Sequence, residues 1–135
     1  MSVNIQFWGK LAGLIYGEEV RGGSLEIPVS VAVTGNVHRR TAVLANATNS
    51  IVYNDELSGF SGAFISSDYN TRVLISDNAA NTFSFTLRGT GEGGKMGVPL
   101  MLGDDQTSDA NTRINTIQIF NTSGNTANTV CLVIG

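Results

Sequence analysis

Charge is scarce in this chain. Only 14% of its 135 residues are Asp, Glu, Lys or Arg, against about a quarter in an average soluble domain. Eight basic and eleven acidic residues leave a formal net charge of −3. Such a surface does not attract a phosphate backbone, so no nucleic-acid partner is expected. Cysteine occurs once, as Cys131, which excludes an intrachain disulfide. It lies in the apolar run Thr129-Val130-Cys131-Leu132-Val133-Ile134 and is expected to be a small buried hydrophobe. Histidine also occurs once, as His38, so no His pair exists for metal binding or catalysis. Long hydrophobic runs are missing too. The most apolar stretch, Phe7 to Tyr16, is short and carries Lys10, so no membrane partner is expected. The start, Met1-Ser2-Val3-Asn4-Ile5-Gln6, has no basic segment followed by a long apolar one. This predicts a chain made in a cytoplasm without a secretory signal. The sequons Asn46-Ala47-Thr48 and Asn121-Thr122-Ser123 would then carry no meaning.

Asn, Thr, Ser and 16 Gly fill the place of the missing charges, while apolar residues remain at 41%. That content is spread along the whole chain, which argues against disorder. The length suits one domain with a real core. The clearest pattern is Thr82-Phe83-Ser84-Phe85-Thr86-Leu87-Arg88. Phe83, Phe85 and Leu87 alternate with polar residues, as on a half-buried strand. The run Thr71-Arg72-Val73-Leu74-Ile75 precedes it across the loop Ser76 to Asn81, and the two read as a central hairpin.

The other strands follow the same logic. Leu25 to Val33 alternates strictly and is expected to pair with Val37 to Ala45 across Thr34-Gly35-Asn36. Pro28 removes a ladder donor, which suits an edge strand or a strand start. Short strands are expected at Ile51-Val52-Tyr53, Ala63 to Ser66 and Val98 to Leu102. Ile114 to Phe120 and Val130 to Ile134 are expected to form a last hairpin, with the closing strand central because both its faces are apolar. Turn signals every eight to twelve residues predict an all-β, single-domain β-sandwich or jelly-roll-like barrel of eight or nine short antiparallel strands. The expected core is Ile27, Val29, Val31, Phe83, Phe85, Leu87, Ile117, Ile119, Leu132 and Ile134.

Residues 1–23 read as an N-terminal arm or first strands, and residues 24–135 as the sandwich. The first segment holds Ile5, Phe7, Trp8, Leu11, Leu14, Ile15 and Tyr16, with Gly9, Gly13 and Gly17 every fourth residue. Three glycines cost a helix about 1 kcal/mol each, so an extended arm is favoured. That much apolar surface seeks a partner. These seven residues are the candidate interface, with contacts to a second copy expected.

No motif specifies a chemistry. Gly89-Thr90-Gly91-Glu92-Gly93-Gly94-Lys95 fits the opening of a phosphate-binding loop. Met96 replaces the required Ser or Thr, and Gly97 and Pro99 forbid the helix that must follow. Asp104 to Asn111 offers oxygen ligands but departs from calcium-loop spacing at Ala110 and Thr116, so a solvated turn is expected. His38-Arg39-Arg40 is the only basic cluster, and His38 and Arg40 would share one face of a strand. No nucleophile, base or cofactor pattern stands out. The chain reads as a non-enzyme, with no cofactor and no metal.

Several segments between Arg72 and Gly135 resemble small accessory proteins of tailed-bacteriophage virions. They are Arg72-Val73-Leu74-Ile75, Phe83 to Arg88 with its Gly-rich loop, Gly97-Val98-Pro99, Ile117 to Asn121 and Thr129 to Gly135. The resemblance covers about half the chain. It implies a structural virion protein, most simply a capsid decoration or cement protein that stabilises the phage head. Its partners would be itself, as a homo-oligomer, and the major capsid or another virion protein, with assembly in the host cytoplasm. The alternative is a carbohydrate-binding β-sandwich or a fibre or tail adhesion component. Trp8, Tyr53, Phe60 and Tyr69 are the rings on which a sugar would stack.

Overall fold

A computed structural model describes the backbone of residues 3–15, 18–33 and 37. It describes backbone and side chains of residues 38–54, 60, 62–103 and 113–134. The chain divides into two compact units, Met1–Thr34 and Gly35–Gly135.

The first unit is an antiparallel ribbon of β1 (Val3–Ile15) and β2 (Glu18–Val33). Leu25 to Val33 is the second half of β2, and its Val29 to Val33 pair with β1 rather than with residues 37–45. The register sets Val3, Ile5 and Phe7 opposite Val33, Val31 and Val29. Directly opposed residues share a face of an antiparallel pair, so six apolar positions occupy one face of this half. The register breaks between Phe7 and Gly9. Trp8 faces the stretch containing Pro28 there, where the missing N–H interrupts the ladder.

The second unit is all-β among the described residues. Its eight antiparallel strands are β3 (Val37–Leu44), β4 (Asn49–Asn54), β5 (Gly62–Ser67), β6 (Thr71–Asp77), β7 (Thr82–Leu87), β8 (Leu100–Gly103), β9 (Ile114–Asn121) and β10 (Ala127–Ile134). They form two open sheets of four, ordered β3-β10-β5-β8 and β4-β9-β6-β7. Four of the pairs nest: β6 with β7, β5 with β8, β4 with β9, β3 with β10. The second unit is thus one long hairpin folded about residues 78–81 and rolled into two sheets, which is the jelly-roll order. The expected β-sandwich is therefore present, and it is not a closed barrel.

The hairpin expected at the centre is the innermost pair of this nest. Asp77 shapes its turn. Its Oδ1 accepts from the backbone N–H groups of Ala79 and Asn81, at 2.9 and 2.8 Å, and its Oδ2 accepts from Asn81 Nδ2 at 2.9 Å. Ala80 takes the left-handed conformation (φ 64°). The hairpin expected at the end of the chain does not form: β9 and β10 lie in different sheets. As expected, β10 is central, between β3 and β5.

Inward-facing residues of both sheets make the core. Ile65, Cys131 and Val133 from one sheet meet Val73, Ile117 and Ile119 from the other, all fully buried. Tyr53 and Phe60 join them with ring centroids 5.6 Å apart. Leu87, Ile117, Ile119 and Ile134 are buried as expected, and Phe85 packs half-buried against the core. Phe83 departs from the expected core. It shares the face of Phe85, yet β7 is an edge strand and Phe83 is 65% exposed. Leu132 also differs, because Cys131 and Val133 point inward and Leu132 sits on the outer face opposite Phe64. The side chains of Ile27, Val29 and Val31 lie outside the described residues.

Candidate functional site

Four connections of the second unit meet at one end of the sandwich: residues 45–48, 68–70, 88–99 and 122–126. Two buried polar residues bind them together. Asp68 is fully buried. Its Oδ1 accepts from the backbone N–H of Asn128 at 2.8 Å, and its Oδ2 accepts from Asn128 Nδ2 at 2.7 Å and the Gly94 N–H at 2.8 Å. The Asp68 carbonyl accepts from Gly91 N–H at 2.9 Å. Burial pushes the Asp68 carboxyl upward, but donation from the Asn128 side chain and the backbone of Gly94, Asn128 and Tyr69 outweighs it. The pKa lies below its ordinary value of 3.8. Asn121, also fully buried, donates from Nδ2 to the carbonyls of Leu44 and Asn125, and its Oδ1 accepts from the N–H and hydroxyl of Ser123.

These ties fix the walls of a cleft of about 450 Å³. Tyr69 and Asn70 come from the β5–β6 turn, Thr86 and Arg88 from the end of β7 and just beyond, and Thr122 and Ser123 from the β9–β10 turn. Gly89, Thr90 and Gly91 complete the lining. The long connection lies tight against the β5–β6 turn: a Cβ on Gly89 would fall 2.4 Å from the Asp68 carbonyl oxygen. Asn70 Oδ1 accepts from the Gly89 N–H at 3.0 Å. The Thr90 hydroxyl donates to the Lys95 carbonyl at 2.6 Å and accepts from the Glu92 N–H at 3.1 Å. Gly91 and Gly94 adopt positive φ (82° and 80°), the conformation that glycine tolerates without strain.

Sequence candidates land in several places. The Gly89–Lys95 segment is this connection, and its Gly91 and Gly94 N–H groups are committed to Asp68 rather than free to cradle a phosphate. Ile5, Phe7, Trp8, Leu11, Leu14 and Ile15 are positions of β1; Tyr16 lies outside the described residues, as does the loop Asp104–Asn111. His38 and Arg40 share a face of β3, opposite Val133 and Cys131. Of the candidate sugar-stacking rings, Tyr53 and Phe60 are buried and cannot meet a ligand, the Trp8 side chain is not described, and Tyr69 lines the cleft. Cys131 is fully buried, and burial pushes its thiol up to about 12. Sequence reasoning missed Asn70, Thr86, Arg88 and Thr122, which no spacing links; only the fold brings three connections together. Among the described residues no group of three or more His, Cys, Asp or Glu is placed to hold a metal ion.

No protein-family model and no curated protein matches this chain. One solved structure, from Bacillus endospore appendages described as a novel family of disulfide-linked pili, is similar over 78% of this chain and 94% of that one. The identity is 13% and the TM-score 0.40.

Proposed function

We propose that this protein is a non-enzymatic structural subunit of a virus particle, of the capsid decoration or cement kind. It assembles with copies of itself and with the major capsid or another virion protein, without a cofactor. The observation that carries the reading is the N-terminal ribbon. Two-stranded hairpins are marginal in water unless their apolar face is covered, and this one sets Val3, Ile5 and Phe7 opposite Val33, Val31 and Val29. A neighbouring copy supplies that cover. The jelly-roll order supports the reading at the level of fold, since capsid domains use it, although fold alone does not give function. A second apolar strip adds to it. Leu132, Phe64 and Met101 are opposed in one row on the outer face of the β3-β10-β5-β8 sheet, and Met101 is 41% exposed.

Light scattering across a concentration series tests the assembly step. The native chain should be oligomeric, and the double variant Phe7→Asp, Val31→Asp should be monomeric with an unchanged β-sheet dichroism spectrum. A native chain that stays monomeric at every concentration would refute self-assembly. Mass spectrometry of purified particles tests the location, and absence of the chain from them would refute the virion reading.

A further inference from the structure

We infer that the cleft between the β5–β6, β7–β8 and β9–β10 connections is a binding site for a carboxylated saccharide. This goes beyond the assembly role and does not depend on it. Donors dominate the site. Arg88 is exposed, and its guanidinium has no ion pair or hydrogen bond among the described residues. Asn70 uses its Oδ1 on Gly89, and its two amide hydrogens have no partner among the described residues. The hydroxyls of Tyr69, Thr86 and Thr122 have no partner among the described residues. No carboxylate lines the cleft among the described residues. A ligand that pairs with Arg88 and the Asn70 amide brings acceptors and a negative charge, and the hydroxyls can donate to it or accept from it.

The kind of anion follows from what surrounds Arg88. A phosphate or polyphosphate is best held by several cations or by convergent backbone N–H groups, but those of Gly91 and Gly94 are engaged by Asp68. One guanidinium matches one carboxylate in a bidentate, charge-assisted pair. The remaining groups are hydroxyls and an amide beside one half-buried tyrosine ring. A tyrosine offers an apolar face and a polar tip, which suits the C–H face of a pyranose with hydroxyls around its rim. No aliphatic pocket is present among the lining residues to anchor a peptide side chain. The walls are set in advance by Asp68, Asn70 and Thr90, so little ordering opposes binding.

Calorimetric titration of the full chain tests this with five probes: a galacturonic acid tetramer, the methyl glycoside of N-acetylneuraminic acid, a neutral galactose tetramer, tetraglutamate and inorganic phosphate. At least one acidic saccharide should bind, at least about tenfold more tightly than the other three probes. Arg88→Gln and Tyr69→Ala should each weaken it by about tenfold or more, with the melting temperature of Arg88→Gln unchanged. The inference is overturned if neither acidic saccharide binds at about 10 mM, or if phosphate, tetraglutamate or the neutral tetramer binds as tightly. It is equally overturned if Arg88→Gln binds like the native chain.

Discussion

Asp68 and Asn128 hold each other at two points. The Asp68 carboxylate accepts both the backbone N–H and the side-chain amide of Asn128, at 2.8 and 2.7 Å. The pair fastens the β5–β6 turn to the start of β10, and a third acceptor contact draws in Gly94. Asp68→Ala leaves these donors facing a void at a fully buried position. It should cost about 3 kcal/mol in a denaturant melt; a cost below about 1 kcal/mol would show that water replaces the carboxylate.

The same carboxylate sets a pH dependence. Its folded pKa lies below the unfolded value near 3.8, so its stabilisation is complete above that value and lost as pH falls through the folded pKa. Asp77 is shifted the same way, chiefly by the Asn81 side chain. The melting temperature should be flat from neutral pH down to about 5 and fall below about 4. Asp68→Asn should flatten that acid limb. A native chain as stable at pH 3 as at pH 7 would contradict both shifts.

Core and edge should separate cleanly. Ile119 is fully buried between the sheets and Phe83 is 65% exposed at an edge. Ile119→Ala should cost about 2–5 kcal/mol, and Phe83→Ala less than about 1 kcal/mol. The reverse order would mean that the register of β7 is wrong.

Two glycines on one connection should respond differently. At Gly89 a methyl group would collide with the Asp68 carbonyl and the Tyr69 backbone, and at Gly91 it would meet nothing within 4 Å. Gly91→Ala bears only the cost of a left-handed residue, about 1 kcal/mol. Gly89→Ala should cost clearly more and distort the cleft, read as a shift of the Tyr69 ring signals in NMR.

Thiol chemistry gives a further check. With its pKa at about 12 and no exposure, Cys131 has almost no thiolate at neutral pH. It should react with a disulfide reagent only as fast as the domain unfolds. Prompt modification of the native protein would show that β10 opens locally.

Much of the second unit was legible from alternation. The β6–β7 hairpin, the central place of β10 and the burial of Cys131 all follow from side-chain period and apolarity. Partner choice was not legible, because alternation states which face is buried and not which strand lies alongside. Hence β2 was matched with β3, and β9 with β10, on sequence proximity, whereas the nested hairpin joins distant strands. Phe83 misled for a related reason. Its face is right, but exposure depends on whether a strand is internal or marginal. The cleft was invisible because Asn70, Arg88 and Thr122 are ordinary turn residues until three connections converge.

The closed hydrogen bonding of Asn121 bears on how the protein is produced. Its Nδ2 is the atom to which a glycan would be joined, and in the fold it is sealed against the carbonyls of Leu44 and Asn125. A eukaryotic secretory host would meet the Asn121-Thr122-Ser123 sequon on the nascent chain, before those carbonyls are in place. A sugar added then would replace one of the two Nδ2 hydrogens, leave at least one of these carbonyls without its donor and block closure of the β9–β10 turn. Bacterial expression, or a Ser123→Ala change for use in a secretory host, should not be treated as equivalent: the Ser123 hydroxyl itself donates to Asn121.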